Sequence, residues 1–309
     1  MKRGIRTLLV ARSMFATLMV GTMAVTVACG GGREAAWDTT ANDEGQTTAS
    51  DQTTLMSTAN EAWAQRDVEA GVRRAIEAYQ AAANANRSDP EAWTMLSRSQ
   101  YFLADCHLRF DESKREELLS TFEEGTRSAE FALMAISDDF ATRMRNGTRI
   151  EEAIEVLDAR AVPALYWRAS NLGKWASADG FATLLSFKDE IRAVMGRCLD
   201  LDPDYFHRGP DRYFGVFYGR APSFAGGDVE RSREHFEVSL RHAPNYFATR
   251  VLMAGDYAVK AQDRANFDEN LAWVLANDPE MGGAEIAPEN RCEQRKAREL
   301  QGQADDLFE

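Results

Sequence analysis

Five stretches of this 309-residue chain repeat one spacing of small and large residues. Ser232-x3-Phe236-x2-Ser239-Leu240-x3-Pro244 sets the frame. Ile191-x3-Met195-x2-Cys198-Leu199-x3-Pro203 and Phe267-x3-Leu271-x2-Val274-Leu275-x3-Pro279 follow it. Ala75-x3-Tyr79-x2-Ala82 fits with Pro90 three residues late, and Gly125-x3-Ala129-x2-Ala132-Leu133 fits with Ser137 in the proline slot. Positions four and seven apart share one face of a helix. Small residues let two antiparallel helices approach, the large one fills the gap, and proline with its preceding residue ends the helix.

Signals for a partnering first helix follow two of the turns: Trp93-x2-Leu96-Ser97 after Pro90, and Met253-Ala254-x2-Tyr257 after Pro244. The separation of Pro244 and Pro279, 35 residues, is near the 34-residue tetratricopeptide (TPR) period; that of Pro203 and Pro244, 41, is longer. No run alternates as a strand would. A single hairpin cannot bury its apolar face, so the hairpins must stack. The expected fold is all-α: a TPR-like α-solenoid of about five helical hairpins over residues 58–309. The charge-alternating stretch from Asn290 to Phe308 reads as a polar-faced C-terminal capping helix. Between Ser137 and Pro203, 66 residues replace one repeat, the longest departure from the frame.

The N-terminus reads as an address. Lys2, Arg3, Arg6 and Arg12 precede an apolar run ending in Thr26-Val27-Ala28-Cys29, the layout of a secretory signal. Residues 1–28 are therefore expected to be a signal peptide. The run's end resembles a lipobox, with Cys29 as the lipidated residue, although Thr26 stands where an aliphatic residue is usual. An ordinary signal peptide with Cys29 incidental is the alternative. Residues 29–57, rich in Gly, Thr, Ala, Asp and Gln, are expected to form a flexible tether. Several acyl chains hold a protein at a membrane without a basic patch. Gly30, where Asp would favour inner-membrane retention, points to the outer membrane of a diderm cell, facing the periplasm.

Loss of the four N-terminal cations takes the formal net charge from −13 to about −17. Such a chain offers no basic face for nucleic acid or an anionic membrane surface. Beyond the first thirty residues, no apolar run approaches the roughly 20 residues that cross a bilayer. His107, His207, His235 and His242 show no metal-ligand spacing, and no nucleophile or phosphate-loop motif occurs, so no metal, cofactor or enzymatic activity is expected. Apart from Cys29, the cysteines are Cys106, Cys198 and Cys292, an odd number that leaves at least one unpaired. Cys198 occupies a small-residue slot, which suits burial.

Aromatic density is the remaining signal. Tyr166, Trp167, Trp175, Phe181 and Phe187 lie in the long departure; Tyr213, Phe214, Phe217, Tyr218 and Phe224 surround a Gly-Pro-Asp turn. Each large ring buries about 150 to 250 Å², so these rings must be covered. They either fill the core between hairpins or line a cleft covered by an apolar ligand or partner helix. Arg168, Lys174, Arg212 and Arg220 interleave with them and suit an acidic head group. The candidate cleft is Tyr166, Trp167, Lys174, Trp175, Arg212, Tyr213, Phe217, Tyr218 and Arg220.

In order and spacing, these pieces resemble the T-component lipoproteins of TRAP transporters (TatT-like). The resemblance is carried by the lipobox, Tyr166-Trp167 through Gly173-Lys174-Trp175, Gly209-Pro-Asp-Arg-Tyr213, Ala221-Pro222, Gly226-Gly-Asp228 and Ser232-x2-His235-Phe236. It continues through Val251-Leu252-x-Ala254-x2-Tyr257-Ala258 and Asp263-x3-Phe267 to Asn290-x4-Arg295-x-Ala297-Arg298-x9-Phe308. The resemblance implies an all-helical, non-enzymatic accessory lipoprotein of a TRAP-type solute uptake system. Such a protein would dock the periplasmic solute-binding P-component, form a homotrimer and hold a hydrophobic small ligand. A generic TPR scaffold lipoprotein at the cell envelope is the alternative.

Overall fold

The computed structural model describes residues 33–39 and 49–308; the expected signal peptide and Cys29 lie outside the described residues. Among the described residues every regular element is helical, so the fold is all-α as expected. Helices α1 (Ala49–Trp63) and α2 (Glu69–Ala85) pair first, then α3 (Pro90–Cys106) and α4 (Arg115–Ile136). Two short helices, α5 (Asp138–Arg145) and α6 (Ile150–Ala153), and two 3-10 turns occupy the start of the long departure. The hairpin of α7 (Val162–Asp179) and α8 (Phe181–Leu201) follows, then that of α9 (Tyr205–Arg220) and α10 (Val229–His242). Next, α11 (Ala248–Leu252), a π-helical stretch (Met253–Ala258) and α12 (Val259–Ala261) run on without leaving helical dihedrals and pair with α13 (Arg264–Ala276). The chain ends in α14 (Ala287–Gly302) and α15 (Ala304–Leu307).

The recurring frame marks the inward face of each second helix. Its three leading residues are buried in all five stretches, from Ala75, Tyr79 and Ala82 in α2 to Phe267, Leu271 and Val274 in α13. The steric reason is visible where the hairpins touch. A Cβ on Gly215 would stand 2.8 Å from the Phe236 ring, and the Ser232 hydroxyl beside that ring donates to the Gly215 carbonyl at 2.7 Å. Gly125 gives the same room to Asn171, whose side-chain oxygen would lie 2.4 Å from an added Cβ. Aspartates end the loops as caps: Asp228 accepts from the Arg231 amide at 3.1 Å, and Asp89 caps α3 ahead of Pro90.

Two expectations need correction. The folded part begins before Thr58: α1 starts at Ala49, and residues 33–39 are packed on the body rather than part of a loose tether. The cause is a buried carboxylate. Glu130 of α4 is fully buried, and Arg33 pairs with it at 2.6 Å while the Ala36 amide donates to it at 2.9 Å. Arg168 closes on the same carboxylate at 3.1 Å and lies under the Trp37 ring. An ionised carboxylate without such partners would cost several kcal/mol to bury.

The last long helix is the second correction. It is no solvent-facing cap; Glu289, Asn290, Cys292, Glu293, Lys296 and Ala297 on α14 are all buried. Besides packing on α13, this helix is joined to the opposite end of the chain. Cys292 forms a disulfide with Cys106 at the end of α3, and Lys296 pairs with Asp105 at 2.5 Å. Glu289 takes Arg66 at 2.8 Å and Arg98 at 3.2 Å. Cys198, the third cysteine, is free and fully buried.

The disulfide links residues 186 positions apart. By the chain-entropy relation such a closure is worth about 5 kcal/mol, an upper figure given that measured losses run from about 2 to 5 kcal/mol. Cys292→Ser is therefore expected to lower the unfolding free energy in denaturant titration by about 3 kcal/mol. Adding reductant should bring the wild type down to the variant.

Candidate functional site

Between the strapped α14 and helices α3, α7, α8 and α9 lies a cavity of about 510 Å³, within the range of small-molecule sites. Its wall is mainly aromatic and aliphatic. Tyr166 and Trp167 of α7 face Phe206 of α9, whose ring lies 5.6 Å and 4.8 Å from theirs. Tyr213 and Phe217, one helical turn apart on α9, continue the wall, and Leu184 and Leu185 of α8 close it. Phe181, 65 % exposed, and Leu185, 38 % exposed, stand at its rim.

Seven of the nine expected cleft residues line this cavity: Tyr166, Trp167, Lys174, Arg212, Tyr213, Phe217 and Arg220. Trp175 and Tyr218 do not. Each follows a lining residue directly, and neighbours on a helix point about 100° apart. Trp175 packs instead against Phe187, ring centres 5.6 Å apart. Tyr218 stacks on His235 at 5.6 Å, beneath Arg231. The two ring pairs of α9 thus divide: 213 and 217 face the cavity, 214 and 218 face α10. Arg168 is also elsewhere, buried between Glu130 and Glu190. Phe224 is 83 % exposed and outside the lining.

The segment carrying Phe206 is strained. Phe206, His207 and Arg208 have φ values of 46°, 58° and 59°, three successive left-handed residues without a glycine. At roughly 1 to 2 kcal/mol each, this turn costs on the order of 3 to 6 kcal/mol. Its surroundings fix it. The Arg212 guanidinium donates to the Phe206 carbonyl at 2.7 Å and to that of His207. His207 stacks on Tyr246 with ring centres 4.8 Å apart, and Tyr205 accepts from the Trp167 indole at 3.1 Å. Arg208 contacts Asp211 at 2.9 Å. Gly209, the next residue, must be glycine because a Cβ would sit 2.5 Å from the Tyr166 ring. The turn therefore presents Phe206 to the cavity.

Charge is concentrated in the same wall. Arg98, Lys174, Lys188, Arg212, Arg220 and Lys296 line it, against the carboxylates Asp105, Glu289 and Glu293. In a chain of net charge −13 that is a local reversal. Arg98 lies 5.0 Å from both the Trp63 and Phe206 rings and 5.6 Å from Trp167. Asp105 sits between Lys174 at 2.8 Å and Lys296 at 2.5 Å. Burial alone would raise the Asp105 pKa, but Lys174 and Lys296 outweigh it and hold the group ionised far into acid. For Lys296 burial depresses the ammonium, yet Asp105 and Glu293 more than offset it, so its pKa is raised. Lys174 differs: burial depresses it, Asp105 compensates only in part, Lys296 depresses it further, and the net direction is down.

Several wall residues escaped the sequence reading: Trp63, Arg98, Asp105, Phe206, Tyr246 and the acidic and basic side chains of α14. Asp105-Cys106 and Cys292-Glu293 were the available signal, since a cysteine bridge between those positions brings both carboxylates to one place. Among the described residues, no group of three or more His, Cys, Asp or Glu side chains is arranged to hold a metal ion, and no helix is long and apolar enough to cross a membrane.

The fold and site define an all-helical hairpin array enclosing an apolar, cation-bearing cavity. Residues 109–308 match the family model of the TRAP transporter T-component, and the chain belongs to that family. No curated protein matches the chain. Membership makes it an accessory component of a TRAP transporter at the cell envelope, in a family of transport components rather than enzymes.

Two outcomes are expected. The stabilisation from Asp105 is complete above the unfolded carboxylate pKa, near 3.8, and drains away as pH falls toward its depressed folded value. Asp105→Asn leaves the half-exposed Lys174 without its partner and the buried Lys296 with Glu293 alone, a loss of about 3 kcal/mol at neutral pH, the low end for breaking a buried pair. The variant's stability should then fall less steeply than the wild type's below pH 4, as read by denaturant titration across pH. Arg212→Met removes two charge-assisted bonds at about 1.5 to 3 kcal/mol each. It should release the left-handed turn, seen as a loss of near-ultraviolet circular dichroism from the Phe206–Tyr246 cluster and a lowered melting temperature.

Proposed function

We propose that this protein is a TPR-like accessory lipoprotein, anchored through Cys29 and facing the periplasm, that docks the solute-binding P-component of its TRAP system. In its cavity it holds a hydrophobic small molecule with an acidic group. The observation that carries this reading is the reversal of charge inside an acidic protein: a cavity of about 510 Å³, walled by aromatic rings, with six cations against three carboxylates. A preformed apolar cavity with a few convergent polar groups is the usual form of a small-molecule site. Family membership supplies the transport context. The lipobox-like Thr26-Val27-Ala28-Cys29 and the Gly at position 30 support an outer-membrane anchor. Trimeric assembly follows the family resemblance and completes the proposal.

The competing reading, a generic scaffold that grips a partner peptide at the cell envelope, needs no resident small molecule. A pull-down from detergent-solubilised membranes is expected to recover the solute-binding protein, and recovery of none would overturn the docking assignment. Native mass spectrometry of the same preparation should show trimers carrying extra mass extractable as lipid-like acid. A clean unliganded mass would favour the scaffold.

A further inference from the structure

The six cations at the cavity wall are not equivalent, because most are already committed. Arg98 is held by Glu289 at 3.2 Å between aromatic rings, and Arg212 is committed to the carbonyls of the left-handed turn. Lys188 pairs with Asp189 at 2.6 Å. Lys296 has two carboxylates, Asp105 and Glu293, and its side chain is 8 % exposed. Lys174 and Arg220 remain. The Lys174 side chain is 38 % exposed and, among the described residues, has only Asp105 as a partner, a carboxylate it shares with Lys296. One bond to Asp105 leaves the other donors of its ammonium unused. Arg220 is 54 % exposed at the side chain and touches Asp256 through Nε, which leaves its terminal nitrogens open. Both cations line the same cavity, and the charge of Asp105 acts on each.

From these commitments we infer that the Lys174 ammonium and the terminal guanidinium nitrogens of Arg220 form a head-group site for the carboxylate of an amphipathic acid. This rests on the cavity holding an acidic apolar ligand, and it names the residues that read the acid. The tail runs inward. Tyr166 lies eight residues before Lys174 on α7, about 12 Å along the axis, and the rings of Tyr166, Trp167 and Phe206 line that end. Phe181 and Leu185 stand at the rim beside the start of α8, one short turn after the end of α7. An incoming carboxylate would meet an ammonium with donors to spare, and a charge-assisted bond is roughly twice as strong as a neutral one.

The test compares decanoate with decanamide, which has the same chain and no charge, by calorimetry on the full-length protein in amphipol. The wild type is expected to bind decanoate about tenfold more tightly, the size of one charge-assisted bond. Lys174→Met and Arg220→Met should each shrink that preference toward parity while leaving decanamide affinity within about twofold. Lys174→Arg should retain the preference, which also controls for folding at this position. Equal wild-type affinity for both probes, or a preference that survives both methionine variants, overturns the head-group assignment while leaving the cavity as a ligand site. Loss of decanamide binding in the methionine variants would mark the residues as structural and also overturn it. If neither probe binds the wild type, the head-group site and the ligand-holding function fall together.

Discussion

Everything distinctive in this fold depends on how α14 is fastened to α3. Helical hairpins stacked in sequence make an open array, because each contacts only its neighbours. Here the Cys106–Cys292 bond, the Asp105–Lys296 pair and the Arg66–Glu289–Arg98 bridge tie the last hairpin's following helix to the first two hairpins. The array is thereby closed on itself, and the space between α3, α7, α8, α9 and α14 becomes a cavity rather than a groove. Without that closure the polar face of α14 would have no reason to leave water.

The closure also explains why so much charge is inside. A buried ion pair gains little over apolar packing, and a broken one is costly. The paired groups are therefore poor stabilisers but strict positioners: Asp105, fixed between two lysines and next to a disulfided residue, tolerates few alternative registers of α14 against α3. The same logic governs the other end of the molecule, where Glu130 recruits Arg33 and Arg168 and thereby fastens residues 33–39 to α4 and α7. In both places a carboxylate committed to the interior determines which distant segment must come to it.

That is also where sequence reading stops. The five hairpin second helices were legible because their signal is local: Ser232, Phe236 and Ser239 recur at fixed spacing, and the helix period turns spacing into a buried face. The aromatic wall was legible in part for the same reason, with Tyr213 and Phe217 a turn apart. Which face of a ring-rich helix looks into a cavity is not local, and so Trp175 and Tyr218 were grouped with neighbours that point elsewhere. The burial of α14 and the docking of residues 33–39 depend on pairings across 94 to 223 residues, and charged residues at those positions look like any solvated helix or linker. The left-handed turn at Phe206 had little signal, since in Phe-His-Arg only histidine is enriched at positive φ and no glycine marks the place.

The walls of the cavity are unequal in a way that bears on exchange. On one side α14 contributes eight buried residues and is held by a disulfide. Opposite, residues 181–190 of α8 include none that is buried; the buried residues Ile191, Val194, Met195 and Cys198 all lie in the second half of that helix. Local opening has its lowest free energy where buried apolar contacts are fewest. The strained turn lies with the rigid side, because Arg212 and the ring cluster over-determine it and its release would cost the contacts that hold it. The cavity therefore has a fixed floor, set by charge and covalent bonding, and one compliant edge that carries the exposed Phe181 ring and Leu185. A molecule entering past Phe181 and Leu185 would displace the weakest packing and meet cations already held in place.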